Sequence, residues 1–93
     1  MTEEFKIIDK EEIALLKFPQ TDVLDDVDEI KARISEINRA LSLGNLEHSK
    51  IKIFFEDDES KKIVDTTVWG VTDKKVMLKQ GVMIPIHRIY KLF

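Results

Sequence analysis

The chain has 93 residues, 43% of them hydrophobic and 35% charged, with a net charge of −3 and no cysteine. A chain of this length closes one small core, and its hydrophobic share excludes global disorder, disulfides and thiolate chemistry being excluded by composition. No apolar run nears the roughly 20 residues that span a bilayer, so a single soluble, cytoplasmic domain with no membrane partner is expected. MTEEFKIIDKEE has no basic stretch leading into an apolar one, which argues against a secretory signal.

The net charge hides a split. Residues 1–49 carry six Lys/Arg against twelve Asp/Glu, whereas residues 50–93 carry nine against six. The halves are therefore −6 and +3, which either marks an interaction surface on one of them or draws the two together on folding.

In chain order, residues 1–20 form an N-terminal segment with a short helix over about Lys10–Lys17. Asp9 and Glu12 have the spacing of a capping box, Ile13 and Leu16 share a face, and Pro19 ends the helix through Phe18. Phe5, Ile7 and Ile8 either pack back on the body or pair as a strand. Residues 21–44 contain the clearest helix, expected over Asp22–Leu43. Thr21 or Asp22 caps it, Asp25, Asp26 and Asp28 complement its dipole, and Gly44-Asn45 stops it. Val23, Val27, Ile30, Ile34, Ile37 and Leu41 recur at spacings of 4 and 3, a heptad seam that serves either the chain's own sheet or a second copy. The candidate self-association seam is Val27, Ile30, Ile34, Ile37 and Leu41.

Residues 50–93 read as short strands. Ile51, Ile53 and Phe55 alternate with polar residues over Lys50–Glu56, and Phe54 alone breaks the pattern. Asp57–Ser60 is an acidic, solvated turn. Lys61–Val71 is a long β-branched strand, apolar on both faces, with its bend at Gly70. Thr72–Lys75 turns into Val76–Lys79, Gln80-Gly81 connects to Val82–Ile86, and Pro85 means that this strand lies at an edge or is ending there. His87-Arg88 then leads into Ile89–Phe93. The expected core includes Ile53, Phe55, Val68, Leu78, Ile84, Ile86 and Ile89. Five such strands fit one strongly bent antiparallel sheet closing on itself, so the fold class is α+β with a small barrel over 50–93.

The long bent strand, the short hairpin and the closing run IPIHRIYKL, with Ile84-Pro85-Ile86 and Ile89, resemble the small Sm-like and SH3-like barrels. Within that group they are similar to the Rof and YolD-like small bacterial proteins. The resemblance implies a barrel fold, and through Rof it implies binding to a transcription termination factor, although Rof is acidic across its barrel where this segment is net basic.

No enzyme signature is present. His48 and His87 lie far apart with no nucleophile motif, the three glycines are isolated, and Glu56–Glu59 lacks the ligand spacing of a calcium loop. No cofactor and no metal are expected. The leading reading is an adaptor that binds another protein or associates with itself. The alternative is an RNA- or single-stranded-DNA-binding module using Lys74, Lys75, Lys79, Arg88, Tyr90 and Lys91, with Phe54, Trp69 and Tyr90 as rings on which bases could stack. In the simpler account of the same residues, Trp69 is core, Phe54 lies under the helix and the lysines suppress edge pairing.

Overall fold

A computed structural model describes residues 4–93, so Met1–Glu3 of the expected N-terminal segment lie outside the described residues. The chain is α+β, with one long helix and, among the described residues, seven strands in sheets of four and three. Strand β1 (Lys6–Ile7) and the single-turn helix α1 (Lys10–Ile13) precede helix α2 (Val27–Glu47). Strands β2 (Ile51–Glu56), β3 (Lys61–Thr66), β4 (Val68–Val71), β5 (Lys75–Leu78), β6 (Met83–Pro85) and β7 (Ile89–Leu92) follow. The sheet orders are β1-β3-β2-β7 and β4-β5-β6.

The strands thus lie in two sheets where the sequence pointed to one. The expected run Lys61–Val71 breaks at Thr67, and β3 stays in the first sheet while β4 opens the second. Thr66, Thr67 and Val68 are buried in succession, which strict two-residue alternation does not allow, so the chain changes sheets there. Thr67 Oγ1 donates to the His48 carbonyl at 3.3 Å and holds the crossing to the end of α2. Gly70 sits within β4 opposite Met77, just past a register shift that leaves Trp69 unpaired on the strand. Thr72 holds the β4–β5 turn, its Oγ1 accepting from the backbone N–H of Lys74 and Lys75. Gln80 and Gly81 turn the chain at φ of 68° and 78°, the left-handed pair that a tight hairpin needs. Pro85 ends β6 at the edge of its sheet, as its missing N–H requires.

Ile53, Phe55, Val68, Leu78, Ile84 and Ile89 are buried and Ile86 is half-buried. The N-terminal segment joins the same core. β1 pairs in parallel with β3, Ile8 is buried, and Glu12 accepts from the Asp9 N–H at 2.9 Å. Helix α1 ends at Ile13 instead of Lys17. Leu15 and Leu16 donate to Glu12 and Ile13, three residues back, which tightens the chain and turns Ile13 and Leu16 onto the core.

Helix α2 is displaced from its expected span at both ends. Asp26, whose carboxylate accepts from the Asp28 N–H, caps it, because Asp22 is engaged with Arg33 instead. Gly44 is buried inside the helix. A Cβ there would lie 2.0 Å from the Val68 carbonyl oxygen, so glycine is needed for α2 to rest on β4. The left-handed residue that ends the helix is His48, at φ 54°, whose N–H reaches the Gly44 carbonyl at 3.2 Å. Arg33, Ile37, Ala40 and Gly44 form the buried line of the helix, which lies against β4 and β7. No helix among the described residues is long and apolar enough to cross a membrane.

Candidate functional site

Arg88 has a structural task. It is 6% exposed, and its guanidinium donates to the carbonyls of Glu56, Asp57 and Thr21 and to Thr21 Oγ1, at 2.8 to 3.3 Å. Three backbone acceptors, at the end of β2, in the turn after it and at Thr21, leave this side chain no free face for a phosphate. The acidic turn beside it is also partly interior. Asp57 is 2% exposed, and its carboxylate accepts from Lys62 Nζ at 2.8 Å and from the backbone of Glu59 and Ser60. Burial pushes the Asp57 carboxyl up, but the Lys62 ammonium and the two N–H groups outweigh it and leave the pKa lowered. Asp22 is lowered chiefly by its hydrogen bonds from Arg33.

Tyr90 and Lys91 belong to an aromatic face on the first sheet. Tyr90 Oη donates to Glu56 Oε1, and Lys91 Nζ lies 4.9 Å from the ring centroids of Phe54 and Phe93. Phe5 meets Phe54 and Tyr90 edge-on, at 5.2 and 5.7 Å. Phe54 therefore departs from the alternation of β2 because an outer aromatic cluster, built with the N-terminal segment, covers it.

The remaining lysines separate along the β4–β5 hairpin. Lys74 and Lys75 stand at its turn, on the rim of a groove of about 680 Å³ that Phe18, Arg33, Pro85, Ile86 and His87 also line. Lys79 lies beyond the far end of β5, four residues away, roughly 13 Å at strand rise. There it shares a recess of about 260 Å³ with Lys10, Lys50, His48, Asp65 and Trp69. Trp69 is 54% exposed, since Val68 takes the inward position of β4 and the register shift frees its neighbour. The recess continues into a smaller one where Trp69 and His48 meet Gly44 and Asn45.

The six residues proposed from the sequence are thus distributed over four places: a buried clamp, an aromatic face, a groove and a recess. Lys10 and Lys50 join Lys79 only through tertiary structure, and no local pattern marks them. The detectable signal was Trp69 followed by Gly70 on a strand whose alternation fails. On the seam, Ile37 is in the core, Leu41 packs against it, Ile30 is half-buried, and Val27 and Ile34 are 62% and 53% exposed. Among the described residues no three His, Asp or Glu side chains converge as metal ligands.

No family model, curated protein or solved structure matches this chain.

Proposed function

We propose that the chain is a binding module, not an enzyme, and that it binds single-stranded RNA or DNA at Trp69. One observation carries this reading: an exposed indole on a strand bulge shares its recess with Lys10, Lys50, Lys79 and His48. An indole offers any base a stacking surface, and lysines around it track the phosphates on either side, a combination that favours single strands without strong sequence preference. Asp65 in the recess and Glu11, 3.4 Å from Lys10, moderate the charge.

The barrel reading fits the same function. β3 passes into β4 across the single residue Thr67, and a 3₁₀ turn over Ile86–Arg88 joins β6 to β7, which returns to pair with β2. Both features support a path like that of a small Sm- or SH3-like barrel.

Trp69 is the sole tryptophan, so its own emission is the probe. Labelled oligonucleotides are titrated at several salt concentrations. Stacking should quench the emission, and Trp69→Ala should weaken binding by about 1–3 kcal/mol while leaving the fold intact. Binding with no change in emission, or none at low salt, refutes the reading.

The adaptor reading keeps one observation of its own, the exposed Val27 and Ile34 on α2. Self-association there predicts a dimer by sedimentation that Ile34→Lys converts to a folded monomer. A parent that sediments as a monomer removes it.

A further inference from the structure

The groove at the turn end of the β4–β5 hairpin is the larger cavity, and nothing so far assigns it an occupant. Its lining includes Arg33, which is 4% exposed. The two terminal nitrogens of Arg33 donate to the Asp22 carboxylate, at 2.8 and 2.9 Å, and to the Ile89 carbonyl at 3.0 Å. Its Nε is buried with no acceptor, the one such side-chain polar atom among the described residues. A buried donor without a partner is rare enough in folded proteins to call for an explanation.

The walls supply both halves of a small-anion site. Lys74 and Lys75 flank the mouth on a turn that is fixed in place, because the Lys74 carbonyl accepts from the Ile86 N–H at 2.9 Å and Lys75 pairs with Pro85. His87 donates through Nε2 to the Pro19 carbonyl at 2.8 Å, which holds its ring in the wall of the groove. Phe18, Pro85 and Ile86 are half-buried and give the groove an apolar side. Asp73 is the acid on the rim, and Asp22 is neutralised by Arg33. The lysines leave a positive balance at a groove whose lining includes the arginine that lacks an acceptor, beside a wall suited to a ring or a short chain.

We propose that this groove binds a small organic oxyanion, its phosphate or carboxylate between Lys74 and Lys75 and toward Arg33 Nε, its apolar body against Phe18, Pro85 and Ile86. The site is independent of the one at Trp69, from which β5 separates it.

The test is a titration of the isotopically labelled protein followed by NMR, reading backbone amides and the Arg33 Nε–H resonance. The probes are a nucleoside monophosphate, inorganic phosphate and benzoate, each against sodium chloride of matched ionic strength. The expected result is saturable movement of Arg33 Nε–H together with the Lys75, Ile86 and His87 amides. Lys74→Glu/Lys75→Glu, two exposed positions, should weaken it at least about tenfold. Trp69→Ala should leave it unchanged, which keeps the outcome separate from the nucleic-acid reading. The tighter of the monophosphate and benzoate names the anionic group, and inorganic phosphate measures what that group contributes without the apolar body. If every probe moves these resonances no more than chloride does, or if the double variant binds as the parent does, the site does not exist.

Discussion

Two regions of this molecule use the same residue types to opposite ends. Around Thr21, Asp57, Lys62 and Arg88 the charges are interior, fully partnered, and tie distant loops to one another. Around Trp69, lysines 10, 50 and 79 line a recess open to solvent, beside an indole that the core has left out. The first region spends its charge on backbone carbonyls and one carboxylate, so nothing remains to meet a ligand. In the second, Lys10 pairs with Glu11 at the surface and the recess stays open, as the proposed phosphate contact requires. What separates the structural charge from the charge proposed to bind is whether buried acceptors already surround it.

The contrast can be broken most severely at Asp57. Asp57→Ala leaves the buried Lys62 ammonium with Ser60 Oγ but no carboxylate and frees the N–H groups of Glu59 and Ser60, and urea unfolding should show a loss of roughly 3–5 kcal/mol. A loss below about 1 kcal/mol would mean that the cluster is as dispensable as a surface pair. Gly44→Ala attacks the open region from beneath. The new methyl meets the Val68 carbonyl, α2 and β4 must part, and the cost should be about 1–3 kcal/mol with a change in Trp69 emission. An unchanged melting temperature would show that the helix does not press on that strand.

Acid sharpens the contrast next. Asp22 and Asp57 have folded pKa values below the ordinary 3.8. Their contribution to stability is therefore complete above about pH 4 and is lost as the pH falls through the lower folded values. The urea midpoint should hold from neutral pH to about pH 4 and then drop, with a shallower fall in Asp22→Asn. The smallest effect on stability is expected in the open recess. Lys50→Glu/Lys79→Glu should change the unfolding free energy by no more than about 0.5 kcal/mol. The same pair should lower the salt slope of oligonucleotide binding by about two units. An unfolded double variant would place these lysines with the interior ones.

Much of the frame was legible in the sequence. β2, β5, β6 and β7 fall where alternation, turn residues and Pro85 put them, and the existence of α2 follows from its apolar spacing. Its ends were not, because Asp22 and Asp26 are equally good caps until Arg33 claims one of them. Gly44 misled for a related reason: a glycine that stops a helix and one that lets it touch a sheet look alike in a single chain. The fates of Arg88 and Arg33 depend on where carbonyls converge, and residue identity does not record that. Lys10 and Lys50 could be joined to Lys79 only through a helix cap at His48 and a strand crossing at Thr67, both set by tertiary packing.

The position of β7 has a consequence for how the protein is made. This strand pairs with β2, its Ile89 carbonyl accepts from Arg33, and its Leu92 N–H donates to Glu36. The ribosome delivers it after every other element described, yet it is the seam between the helix and the first sheet. Until β7 is in place, α2 has β4 but not its second strand to lie against, and the β2 edge of the first sheet is unpaired. A chain cut before Ile89 would therefore keep α2 against β4 but leave the β2 edge of the first sheet open for chaperones or proteases to find.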